Sequence, residues 1–222
     1  MDVLIVIAHP EPRSFNGALF ETAVQTLTGA GHRVDTSDLY RIGFNPVSDR
    51  RNFVSVKDAD FLKLQVEEVH ATEVRGFAPD LEAELMKLEA ADLMIWQFPL
   101  WWFGLPAILK GWVDRVFAMG RTYGVGRIYE TGVFKGKRAL LSLTTGGPRD
   151  AYLPEGFNGD LDAILRPIQR GILEFTGFSV LRPEVHWQPA RAEAAQRQAW
   201  LDAWATRLRG IESESPIDVG RY

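Results

Sequence analysis

The chain has 222 residues, 46% hydrophobic and 24% charged, with a net charge of −4 and no cysteine. That length suits one core and a single domain over 1–222, the mild acidity without a basic stripe excludes a nucleic-acid footprint, and the missing cysteines exclude disulfides, thiol nucleophiles and thiolate metal sites. No basic leader precedes the first apolar segment, and the longest apolar stretch, 94–109, is interrupted by Gln97, Pro99, Gly104 and Pro106 and is too short to span a bilayer, so a cytoplasmic protein is expected.

Val3-Leu4-Ile5-Val6-Ile7-Ala8 is almost wholly apolar and predicts a strand covered on both faces. Phe15, Ala18, Leu19, Ala23 and Leu27 share one helical face, and Gly29 and Gly31 end that helix. A weaker strand follows at 33–37. Residues 40–78 are polar and irregular and yield no element. A helix is predicted over 80–89, a strongly apolar strand over 91–98, a helix over 106–117 with Pro106 in its first turn, and a strand over 138–144. Leu161, Ile164, Leu165, Ile168, Ile172 and Phe175 form a helical stripe with a kink predicted at Pro167. The fifth strand is placed at 179–186. Trp200, Leu201, Trp204 and Leu208 mark the last helix, and 211–222 is expected as an extended tail.

Strands alternating with helices predict an α/β fold: a flavodoxin-like, doubly wound, five-stranded parallel sheet of order 2-1-3-4-5 with helices on both faces. Such sheets bind ligands beyond the carboxyl ends of their strands, near the switch in strand order. The loops after strands one, three and four therefore carry the candidate site.

After the first strand comes His9-Pro10-Glu11-Pro12-Arg13-Ser14-Phe15-Asn16-Gly17. A helix starting near Ser14 presents unpaired N–H groups suited to phosphate, although Ser14 can equally be a plain N-cap and His9 a turn residue. The G-x-G-x-x-G fingerprint and the P-loop are both absent, which argues against a Rossmann NAD site and an NTPase. After the third strand, Phe98-Pro99-Leu100-Trp101-Trp102-Phe103-Gly104 offers flat aromatic surface to a ring system. Four of the seven tryptophans lie between 96 and 112, so a packing cluster is the rival explanation. After the fourth strand, Thr144-Thr145-Gly146-Gly147-Pro148 allows close backbone approach and positive φ, with N–H groups free to meet ring carbonyls and nitrogens; a simple turn would use the same glycines. Tyr152 and Asn158 follow within one short loop. Three such loops at neighbouring strand ends point to a flavin.

These residues resemble a known family. Ala8-His9-Pro10, Ser14 to Leu19, Leu88 to Leu93, Phe98-Pro99-Leu100, Trp102-Phe103-Gly104, Pro106 to Trp112 and Thr144 to Gly147 are similar to the NAD(P)H:quinone oxidoreductases of the DT-diaphorase type, with Gly171-Ile172-Leu173, Phe175 and Gly177-Phe178 extending the match. The resemblance implies a homodimer with FAD at sites on the subunit interface. It assigns His9, Ser14, Phe15 and Asn16 to the phosphate and ribityl end. It places Pro99, Leu100, Trp101, Trp102, Phe103 and Thr144 to Gly147 around the isoalloxazine ring, and Arg197 near the adenosine half. Tyr152, Gly146 and Gly147, with Asn158, would stabilise charge on the flavin. Trp102, Phe103, Tyr123, Val125, Phe175 and Arg191 would form the substrate pocket, Tyr123 and Phe175 reaching it from the partner subunit.

Three positions depart from the best-known members: Asn158 and Arg191 stand where histidines do, and Val125 replaces a tyrosine. Asparagine donates a hydrogen bond but takes up no proton near neutrality. Arg170 and Glu174 cannot reproduce the zinc site of one subset, so no metal is expected. The implied activity is ping-pong hydride transfer from NADH or NADPH through the flavin to a quinone. An azo or nitro reductase, an FMN-holding relative, a one-electron flavodoxin carrier and a flavin-binding regulatory subunit of a membrane transporter are the alternatives.

Overall fold

The computed structural model describes residues 1–220. Six strands lie parallel in one sheet: β1 (Asp2–Ile7), β2 (Arg33–Asp38), β3 (Leu93–Pro99), β4 (Arg138–Thr145), β5 (Ser179–Val180) and β6 (Glu184–Trp187). The order is β2-β1-β3-β4-β5, with β6 also on β4. The expected fifth strand is therefore two short segments along one edge of β4. Pro183 separates them, because a residue without an N–H cannot continue the ladder.

The helices are α1 (Phe15–Gly29), α2 (Leu64–Val74), α3 (Pro79–Ala90), α4 (Ala107–Val116), α5 (Leu161–Ile168) and α6 (Ala194–Arg209). Along β1, Val3 and Ile5 face a core made with Leu19, Ala23, Leu27, Trp204 and Leu208 of α1 and α6. Leu4 and Val6 face the opposite core, with Leu81, Leu85, Trp112, Val116 and Leu165 of α3, α4 and α5. Helices on both faces leave no wet side to the sheet, which is why β1 and β3 read as continuous apolar runs.

Three expectations change here. The disturbance at Pro167 takes the form of a π-helix, Gln169–Glu174, continuing α5. Proline removes one N–H and crowds the carbonyl four residues back, and wider turns accommodate both. The segment 40–78 contains α2, which the sequence pattern does not reveal. Beyond α6, Ile211–Ser213 makes one 3₁₀ turn with Ile211 buried, and the N–H of Ile217 bonds to Val180 O at 2.9 Å, so the expected tail is docked on the sheet edge. Its last two residues lie outside those described.

Candidate active site

The loops after β1, β3, β4 and β6 converge at the carboxyl edge of the sheet around a cavity of about 820 Å³. That volume is within the range of small-molecule and cofactor pockets.

Ser14 is the N-cap of α1, its Oγ accepting from Gly17 N–H at 3.1 Å. The N–H groups of Phe15 and Asn16 meet no acceptor among the described residues, and the first turn holds no acidic side chain. The positive end of the helix thus faces the cavity uncompensated. Gly17 is required at its position, because a Cβ there would sit 1.9 Å from Pro12 O, where the loop folds back over the helix start. His9 Nδ1 lies 3.1 Å from the N–H of Glu11, a turn contact. The Phe15 ring packs edge-on against His186 and Trp200, at 5.4 and 5.8 Å between centroids. Burial pushes the His186 imidazole below its ordinary range, which favours the neutral ring.

Asn16 is 4% exposed and joins the start of α1 to two strand ends. Its Nδ2 donates to Thr144 Oγ1 at 3.0 Å, and its Oδ1 accepts from Gln97 Nε2 at 2.9 Å.

The aromatic residues divide into two groups. Trp96 and Trp112 are fully buried and meet each other and Phe117 edge to face, with Trp112 Nε1 donating to Glu84 Oε2 at 2.8 Å. Packing accounts for them. Trp101, Trp102 and Phe103 are 42%, 97% and 49% exposed at the cavity mouth. A four-residue turn from Trp101 to Gly104 holds them out, closed by Gly104 N–H to Trp101 O at 3.0 Å. Its central residues, Trp102 and Phe103, have φ of 51° and 57°. Bulky side chains rarely occupy that region, and such strain collects at functional sites.

Neither Gly146 nor Gly147 takes the positive φ expected of them. At Gly147 the constraint is close contact. A Cβ on Gly147 would press Tyr152 Cε2 at 3.0 Å and Asn158 Nδ2 at 3.2 Å, while Gly146 borders the open cavity. The N–H groups of both glycines donate to nothing among the described residues, whereas Thr145 Oγ1 donates to Gly147 O at 2.8 Å. Tyr152 is buried between Phe103 and Trp187, at 6.4 and 5.4 Å between ring centroids.

Sequence reasoning overlooked Arg13, Gln188, Pro189 and Ala190 on the cavity wall. The available signal was positional: Gln188 follows β6 on the same sheet edge as the other three loops. Arg191, expected with the substrate residues, shares this wall with the proposed cofactor residues. Arg197 also lines the cavity, but its guanidinium donates to the carbonyls of Ala192 and Pro189 and ties down that turn. Three arginines and no carboxylate line the cavity; Arg13 is paired with Glu11 at 3.0 Å, and the charges of Arg191 and Arg197 favour an anionic ligand.

Tyr123 and Phe175 lie together elsewhere, 5.6 Å between ring centroids, in a second cavity of about 300 Å³. Gln65 Nε2 donates to Tyr123 Oη at 3.3 Å, and burial raises the Tyr123 phenol above its ordinary range. Val125 is 93% exposed. Glu68, 5% exposed, lines the same cavity and accepts from Met119 N–H at 2.7 Å; burial raises its carboxyl. At the positions of the absent zinc ligands, Arg170 Nη1 pairs with Glu174 Oε2 at 2.9 Å and stacks over Tyr129. No helix among the described residues is long and apolar enough to cross a membrane.

The family described as flavodoxin-like fold matches residues 1–208. A ribosyldihydronicotinamide dehydrogenase [quinone] of Pongo abelii is 43% identical over 216 residues, 97% of this chain and 94% of its own. The NAD(P)H dehydrogenase [quinone] 1 of Rattus norvegicus is 45% identical over 215 residues, 96% of this chain and 78% of its own. A crystal structure from Klebsiella pneumoniae, its protein provisionally described as a quinone reductase, superposes with a TM-score of 0.93 at 41% identity, covering 98% of this chain and 87% of that one.

Proposed function

The chain belongs to the NAD(P)H:quinone oxidoreductases of flavodoxin-like fold, and from that membership we propose that it reduces quinones by two-electron hydride transfer through a bound FAD. One observation carries the reading. The large cavity has an exposed aromatic wall at Trp102 and Phe103, a free backbone amide at Gly146 with the free amide of Gly147 next to it in the chain, and an uncompensated helix N-terminus with arginines nearby.

These residues fit the group. Ser14, Arg13 and the start of α1 would hold phosphates, and the continuation of the cavity wall to Arg191 and Arg197 supports FAD, the longer of the two flavins, over FMN. A bound flavin supplies reversible hydride acceptance. Trp102 and Phe103 then align a nicotinamide or a quinone ring and keep water out, which matters because hydride transfer depends steeply on approach geometry. The amides of Gly146 and Gly147 and the Tyr152 hydroxyl would be available as donors to negative charge on a reduced flavin. Asn158 can add a hydrogen bond but holds no proton there. One open face serving donor and acceptor in turn gives ping-pong kinetics. The near-total exposure of Trp102, and the location of Tyr123 and Phe175 outside the main cavity, support a homodimer in which each copy completes the other's substrate pocket.

Purified protein tests the proposal directly. It should be yellow, release FAD by mass spectrometry, elute as a dimer, and turn over NADH or NADPH with a benzoquinone. Released FMN would overturn the FAD assignment, and colourless protein that refuses both flavins would overturn the activity.

A further inference from the structure

Gln188 holds the exit of β4 at two successive carbonyls. Its N–H donates to Thr145 O at 3.0 Å and its Nε2 donates to Gly146 O at 3.2 Å. Its own backbone is left-handed, φ 49°, a conformation uncommon for a residue with a long side chain. That backbone turns the side chain back over the Gly146–Gly147 peptide and into the wall of the main cavity.

The carbonyl of Gly146 and the N–H of Gly147 belong to one peptide unit. No peptide in the described chain is cis, so the two groups point in opposite directions. Fixing the oxygen therefore fixes the direction of the N–H. Little else restrains this unit, because it joins two glycines, the residues with the widest backbone freedom. Thr145 Oγ1 donates to the next carbonyl, Gly147 O, and so spans this peptide without bonding either of its polar groups. The Gly147 N–H that results donates to no protein group.

We infer that Gln188 is a positioning residue: its side-chain amide holds the Gly146–Gly147 peptide so that the Gly147 N–H faces the reduced flavin, and the reduction potential depends on it. The inference rests on the proposed flavin site. A donor aimed at the edge where charge accumulates favours the reduced form and raises the potential.

The test is spectroelectrochemical titration of the flavin in wild type, Gln188→Glu, Gln188→Gly and Gln188→Lys. Glutamate has the same shape, offers no N–H to the carbonyl at neutral pH and adds a charge that itself lowers the potential, so the uncharged glycine variant decides the size of the tether's effect. Glycine relieves the left-handed backbone and removes the side chain, so it keeps the experiment informative if glutamate disturbs folding. Lysine restores a donor. Loss of the tether should cut the preference for reduced over oxidised flavin about tenfold, which for a two-electron couple lowers the midpoint by about 30 mV. Glutamate and glycine variants should show that drop, and lysine should recover part of it. A wild-type potential in yellow Gln188→Glu or Gln188→Gly protein would overturn the inference and leave the flavin site standing. Wild-type protein that binds no flavin would overturn both.

Discussion

The side-chain amide of Asn16 donates to the hydroxyl of Thr144 across 3.0 Å, joining the start of α1 to the end of β4 within a buried network that also takes in Gln97. Asn16→Ala orphans both partners, and each buried polar group left unpaired costs about 1–3 kcal/mol. Urea unfolding should show a loss of that size. A change below about 0.5 kcal/mol, the usual bound for surface substitutions, would mean the network holds nothing together.

The left-handed pair Trp102 and Phe103 predicts a trade between stability and function. An L-residue in that region costs about 1–2 kcal/mol, and within one copy of the chain Trp102 is too exposed to offset it by burial. Trp102→Gly should therefore leave the fold equally stable or up to about 1 kcal/mol more stable, the gain being limited by glycine's freedom in the unfolded chain. Hydride transfer from NAD(P)H should slow about 10–100-fold as alignment is lost. Thermal melts and stopped-flow reduction read the two effects separately; an unstable variant would contradict the strain argument.

Tyr152→Phe removes only a hydroxyl. A donor at a site of developing charge typically contributes about 2.7–4 kcal/mol. Flavin reduction or reoxidation should slow about 100-fold or more. Unchanged rates in both half-reactions would strip Tyr152 of the role.

Glu68 sets a pH dependence. Burial raises its carboxyl above the ordinary value of 4.5, against the opposing bond from Met119 N–H. The folded state therefore holds this proton more tightly than the unfolded state. The corresponding stability is complete below about pH 4.5 and is lost as pH rises through the folded value. Glu68→Gln keeps an acceptor for Met119 and carries no charge. Its unfolding free energy should decline less than that of wild type between pH 4.5 and neutrality, and at neutral pH it should equal or exceed wild type. Parallel declines in the two proteins would refute the assignment.

Arg115, 2% exposed, predicts a structural loss with little chemical effect. Its guanidinium donates to Asn52 Oδ1 at 2.7 Å, Asn45 O at 2.9 Å and Asp80 at 3.2 Å. Arg115→Met should destabilise the fold by about 1–3 kcal/mol for each buried acceptor orphaned. Limited proteolysis should then cut first within 40–60. Cleavage elsewhere would show that Arg115 does not anchor that segment.

The same residue explains why 40–78 was illegible. Arg115 pins Asn45 and Asn52, and the Glu67 carboxylate accepts from the backbone N–H groups of Lys57 and Asp58 at 2.7 and 2.9 Å. Polar side chains reaching distant backbone leave no hydrophobic period to read. α2 shows this most clearly: its buried residues are Glu67, Glu68 and Ala71, so the 3.6-residue apolar stripe that betrays other helices is missing. Asn16, expected beside the cofactor, was legible as a site residue, but its bonds to Gln97 and Thr144 depend on strand ends far apart in sequence.

By itself the sequence determined the first four strands, the sheet order and three loops to inspect, because a sheet covered on both faces demands apolar runs and its ligands gather at one edge. It also supplied the motif run that identifies the family. Only the tertiary structure decided which tryptophans pack and which stand free, that Gly147 is needed for space beside Tyr152 and Asn158, and that Gln188 grips the β4 exit. Those outcomes depend on the direction in which each side chain leaves the backbone, and direction is fixed by contacts between segments that the linear order keeps apart.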